Sequence, residues 1–190
     1  KNMIILTIDT TGASASVSIL NEERELYTEL SGDTMSHLQL LIPMVERVIK
    51  KAELEKTDIT HIAAVVGPGS FTGLRIGSAT AKGLGLALEK PLIHVPTLDA
   101  MAYNLYGCGD NPFRTLKEDC AVALEELLEE LAAAQEPVVF LGDGVPVGRE
   151  KIAARLGSLA RFAPAQMNRQ RAASVAALGA VMYAEGKTET

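Results

Sequence analysis

MIILTIDTTGASASVSIL, residues 3–20, reads as strand, turn and strand, and it decides the architecture. Met3–Ile8 is a short continuous apolar run rich in β-branched residues, the pattern of a buried strand. Asp9-Thr10-Thr11-Gly12 breaks it with turn chemistry. Ala15–Leu20 alternates small polar and apolar residues, which predicts a second strand, and Glu25–Leu30 reads as a third. Three consecutive strands joined by tight turns predict an antiparallel meander.

Working outward, Ser36 reads as a helix N-cap. Leu38, Leu41, Ile42, Val45, Val48 and Ile49 then recur at the spacing of one helical face. Pro43 lies inside this run, so the helix is expected to start at Leu41 or to kink there. Ile62–Val66 reads as a buried strand, a helix is expected from about Thr72 to Leu88, a strand over Pro91–Val95, and a helix from Thr97 to about Tyr106. The loop-like stretch Gly107–Thr115 marks a boundary. Beyond it, Val122–Leu131 and Arg149–Leu156 predict helices, Pro137–Leu141 a strand, and Arg171–Ala184 an Ala-rich helix. The order argues α/β. A meander leading into βαβ units is the order of a ribonuclease H-like half-domain. Two domains are expected, 1–106 and 107–190, with the C-terminal helix (about 170–185) free to pack back on the first.

Composition limits the functions. With 47% apolar residues among 190, the chain can build a real core. Its net charge of −6 argues against a protein that grips nucleic acid by itself. The densest basic spots are only Lys50-Lys51 and the Arg169/Arg171 pair. Cys108 and Cys120 sit in no CxxC or metal-ligand spacing and read as unpaired thiols of a reducing compartment. No apolar run approaches the about 20 residues of a membrane span. Met3–Leu6 is too short for a signal-peptide core, so the cytoplasm is the expected location. His37, His61 and His94 share no i,i+3 or i,i+4 spacing, and no metal site is expected from them.

Three segments could carry chemistry, each with two readings. Asp9, Thr10 and Thr11 end the first strand, where open α/β sheets place ligands; they could face a nucleotide phosphate or Mg²⁺, or simply bond nearby backbone in a turn. Gly67-Pro68-Gly69-Ser70-Phe71-Thr72-Gly73 leads into a helix N-terminus, an anion site or else a tight connection needed for packing. It is neither a Walker A loop, since no Lys follows Gly73, nor a GxGxxG fingerprint. Gly77, Ala81 and Gly85 form a stripe without bulk, which lets another helix approach or lets this one lie tightly on its own sheet.

The segments Met3–Leu20, Ser36-His37, Pro91–Ala100 and above all Gly67–Lys82 (GPGSFTGLRIGSATAK) resemble the TsaB (YeaZ) family. The resemblance implies an actin-like ATPase, ribonuclease H-like fold of two subdomains. It implies a role in making N6-threonylcarbamoyladenosine in tRNAs that read codons starting with A. The family's members support the catalytic relative TsaD as a heterodimer, with the ATPase TsaE joining in a ternary complex, and form a homodimer when alone. On this reading tRNA is met only through the complex. The chain binds no cofactor tightly, while ATP and a divalent metal are used by its partners. TsaD carries a metal-binding HxxxH pair after the strand that matches Leu92–Val95; the two positions here are Thr97 and Met101, a poor ligand and a soft thioether. The implication is a subunit without catalysis of its own. The other class is an independent nucleotide-dependent enzyme, or a metalloprotease, of the actin-like superfamily.

The same resemblance implies that the partner surface lies on the two helices of the first subdomain. Carried over, it includes Ser36, His37, Leu41, Val45, Leu74, Gly77, Ala81 and Gly85. Residues facing a nucleotide would be Asp9, Thr10, Thr11, Gly69 and Ser70. The sequence departs from the family at Gly107–Thr115, where a strand with an Asp-Ala-Arg-type motif and a hairpin is expected, so the second subdomain looks shortened.

Overall fold

The computed structural model describes residues 2–23, 26–32, 37–105 and 117–188. The described chain forms two compact units, Lys1–Asn104 with Gln170–Thr190, and Leu105–Arg169.

The first unit is built on a five-stranded sheet. β1 (Ile4–Asp9), β2 (Ser16–Asn21) and β3 (Leu26–Leu30) form the antiparallel meander expected from residues 3–30. β4 (His61–Val65) adds to β1 in parallel, and β5 (Leu92–Val95) adds to β4 in parallel. The order is β3-β2-β1-β4-β5, the mixed sheet of a ribonuclease H-like fold. Strand alternation divides the side chains between two cores. Leu6, Ile8, Val17, Ile19, Ile62 and Ala64 face α1 (His37–Lys51) and α2 (Phe71–Leu88). Ile5, Ala63, Val65, Ile93 and Val95 face the other way, toward α3 (Thr97–Ala102) and α6 (Ala172–Ala184). Ser16 Oγ accepts from the Ala172 N–H at 2.9 Å, so a strand side chain satisfies a backbone group at the start of α6.

Three sequence expectations need correction. The first helix begins at His37 and runs through Pro43. Pro43 lies on the exposed side of α1, where the carbonyl it leaves unpaired can bond water, so no new start is needed. The expected Thr97–Tyr106 helix ends at Ala102 and tightens into a 3₁₀ turn over Tyr103–Leu105. A short strand, β7 (Ala160–Phe162), was not expected.

The second unit holds α4 (Leu124–Ala134), β6 (Val138–Phe140), α5 (Val145–Leu156) and β7, with β6 and β7 paired in parallel. Its core gathers Leu128, Ala132, Ile152 and Leu156 with Phe140 and Phe162. Lys151 and Arg155 on α5 reach Glu125 and Glu129 on α4 at 2.7 Å, four residues apart on each helix. Cys120 is free and exposed. Cys108 and the whole stretch 107–115 lie outside the described residues.

Candidate functional site

β1 and β4 run parallel with Ile8 beside Ala64, so the loops that leave them emerge at the same end of the sheet. There the Asp9–Gly12 turn meets the Gly67–Ser70 loop and the start of α2. Asp9 is 2% exposed, and its Oδ1 accepts from the Thr11 N–H at 3.0 Å and the Thr11 hydroxyl at 2.6 Å. Burial pushes the Asp9 carboxyl above its ordinary range, and the two bonds from Thr11 oppose that shift. Thr10 and Thr11 are buried as well.

The connection to α2 is tight. The Thr10 hydroxyl donates to the Gly73 carbonyl at 2.6 Å, and the Ser70 N–H donates to the Thr11 carbonyl at 3.1 Å. Ser70 caps α2, its hydroxyl accepting from the Gly73 N–H at 3.2 Å. A Cβ at Gly73 would lie 1.9 Å from the Thr10 carbonyl oxygen, so only glycine allows this approach. At Gly77 it would lie 2.4 Å from Thr10 Oγ1. The structure thus gathers Asp9, Thr10, Thr11, Gly69 and Ser70 at one end of the sheet. Gly69 and Ser70 are exposed there, while the Asp9 carboxylate and the two threonines are enclosed by the turn.

The residues carried over as a partner surface are distributed differently. Leu41 and Val45 lie in the core between α1 and the sheet. Gly77, Ala81 and Gly85 are buried too, with Gly77 against Thr10 and Gly85 against Leu92. The small-residue stripe therefore lets α2 lie close on its own sheet, and these five residues are closed to a partner in this conformation. Leu74 is half-buried near Gly67. His37 opens α1, its side chain lying outside what is described, and Ser36 is outside the described residues.

The opposite face of α2 is open. Phe71 and Leu86 are 68% and 84% exposed, and Arg75, Ala79 and Lys82 lie between them at helical spacing. The Arg75 guanidinium sits 4.2 Å over the Phe71 ring. On the neighbouring α1, Ile42 is 44% exposed. Sequence reasoning passed over Phe71 and Leu86, although the stripe Gly73, Gly77, Ala81, Gly85 already marked which face turns inward. Among the described residues no three His, Cys, Asp or Glu side chains gather as a metal site. Thr97 and Met101 are buried, and the Thr97 hydroxyl has no hydrogen-bond partner among the described residues.

A family model described as "TsaD: tRNA N6-adenosine threonylcarbamoyltransferase" matches residues 34–116. The Bacillus subtilis "tRNA threonylcarbamoyladenosine biosynthesis protein TsaB" is 26% identical over 93% of this chain and 87% of its own. Its Escherichia coli counterpart is 42% identical over 53% of this chain and 43% of its own.

The chain is similar to a TsaB protein over most of its length.

The match spans most of the Bacillus subtilis TsaB but less than half of the Escherichia coli and Haemophilus influenzae TsaB proteins. In structure, "YeaZ from Pseudomonas aeruginosa" superposes with a TM-score of 0.73 at 22% identity, covering 98% of this chain and 95% of that one. That likeness concerns the fold alone. No described helix is long and apolar enough to cross a membrane.

Proposed function

We propose that this chain is a non-catalytic subunit that binds and supports a TsaD-type transferase, with TsaE, in forming N6-threonylcarbamoyladenosine on tRNA. Kinship with TsaB proteins named for that biosynthesis supports the pathway. The observation that carries the docking role is the outer face of α2, where two large apolar side chains, Phe71 and Leu86, stand in water on a helix whose other side is fully packed. Burying them would release of the order of 1.5–3 kcal/mol each. Arg75 and Lys82 beside them favour an acidic rim on the partner. The same face serves a homodimer when the transferase is absent. ATP and a divalent metal belong to the partners' chemistry, and the chain meets tRNA only in the complex, in keeping with its net charge of −6. The compartment we assign is the cytoplasm.

The test is co-elution with TsaD. Leu86→Glu and Phe71→Glu should each weaken the complex at least about tenfold and leave the thermal midpoint of the free chain within a degree or two, since neither side chain is in the core. Unaltered affinity in both variants, or full-rate tRNA modification by TsaD without this chain, rules the reading out. Calorimetry addresses the enzyme alternative. Tight ATP/Mg²⁺ binding that vanishes in Asp9→Ala would favour it, though the enclosed Asp9 carboxylate of this conformation speaks against that outcome.

A further inference from the structure

At the other end of the same sheet, where β1 and β4 begin and β5 follows Pro91, the first unit carries an open cavity of about 540 Å³. Its size is within the range of small-molecule sites. His61, Tyr183, Thr60, Lys90 and Glu89 are among its walls. The hydrogen bonding there determines the state of His61. The Thr60 hydroxyl donates to the Ile4 carbonyl at 2.9 Å and accepts from the Ile4 N–H at 2.9 Å. With that proton on the Ile4 carbonyl, the 3.0 Å contact with His61 Nδ1 is donated by the histidine. The neutral ring then carries its proton on Nδ1 and offers the Nε2 lone pair as an acceptor. Burial, with the nearby Lys90 charge, holds the His61 pKa below its ordinary value, which keeps the ring neutral. The Tyr183 ring meets His61 edge to face at 4.5 Å and gives the cavity an aromatic wall. Among the described residues, Lys90 uses one donor on the Thr57 carbonyl at 3.3 Å and keeps the rest.

From these groups we propose that the cavity binds a nucleoside monophosphate. The phosphate meets Lys90, an N–H of the base donates to His61 Nε2, and the base lies along the Tyr183–His61 wall. One lysine matches one phosphate, and the Glu89 and Asp58 carboxylates that also line the cavity disfavour a di- or triphosphate. The site is separate from the turn around Asp9, because it opens at the strand starts and not at their ends.

The experiment is a titration of the full chain with AMP, adenosine, inorganic phosphate and ATP, read by calorimetry and by amide chemical shifts. AMP should saturate, shift the His61–Ile62 and Lys90–Pro91 region, and bind at least about tenfold more tightly than either fragment or ATP. Lys90→Gln should weaken AMP about tenfold, the scale of one charge-assisted hydrogen bond, and leave adenosine unchanged. Lys90 is half-buried at the margin of the fold, so this variant is expected to fold. Asp9→Asn should leave AMP binding as it was. The proposal is overturned if AMP shows no saturable binding at millimolar concentration. It is equally overturned if Lys90→Gln binds AMP as the parent does, or if the shifts map to the Asp9–Gly12 turn.

Discussion

At Gly73 the difference between hydrogen and methyl decides whether the first βα connection can close, because the Thr10 carbonyl oxygen occupies the space a Cβ would need. Gly73→Ala is expected to cost about 3 kcal/mol or more, since the obstructing atom is backbone and cannot swing aside. Gly83, on the same helix, has open space where a Cβ would go. Gly83→Ala should therefore stabilise by roughly 0.5–1 kcal/mol through helix propensity alone. Urea denaturation of the two variants checks the contrast. Asp9 makes a second prediction at this scale. A carboxyl raised in the folded state holds its proton more tightly folded than unfolded. Stability therefore falls as pH climbs from the ordinary carboxylate value through the folded one. Asp9→Asn keeps an oxygen for the Thr11 donors and removes the charge, so that slope should flatten and stability at pH 7 should not drop. Denaturation curves between about pH 4 and pH 7 measure it. Turn chemistry at Asp9 was legible in the sequence, because Asp and Thr bond local backbone wherever they follow a strand. Its depth was not legible, because that depends on a glycine some sixty positions later bringing α2 onto Thr10.

Among the elements, continuous apolar runs located β1 and β4, alternation located β2, and the 3.6-residue period located α1 in the sequence. β7 escaped notice for a physical reason. It has three residues, its middle one is the exposed Arg161, and so it carries no alternation long enough to read. The small-residue stripe of α2 left two readings open, because it suits an outside helix as well as the chain's own sheet, and only the position of Thr10 and Leu92 chooses between them. α1 carries its own prediction. Pro43 sits within the helix at the cost of one backbone bond, so Pro43→Ala should raise stability by up to about 3 kcal/mol, read as a higher thermal midpoint with added helical ellipticity.

On the scale of the whole molecule, the sequence suggested two domains with a terminal helix free to return, and by contacts the chain divides as 1–104 with 170–190, and 105–169. α6 was readable as a helix from its Ala-rich run, but its location was not, because it is apolar nearly all round and marks no preferred face. What locates it is Ser16 at its first turn and the close fit of Gly179 over Ala63. A chain cut after residue 169 should therefore leave Ile5, Ala63, Val65, Ile93 and Val95 uncovered, bind a hydrophobic dye, and lose its cooperative melt. Adding a peptide of residues 170–188 should restore part of it.

The return of α6 also has a temporal side. A ribosome makes the five strands and α3 early, yet α6, which completes the layer over one side of them, is encoded more than sixty residues after β5. At about 5–20 residues per second, the nascent sheet waits several seconds with one greasy side only partly covered. In that interval it is a natural client for chaperones.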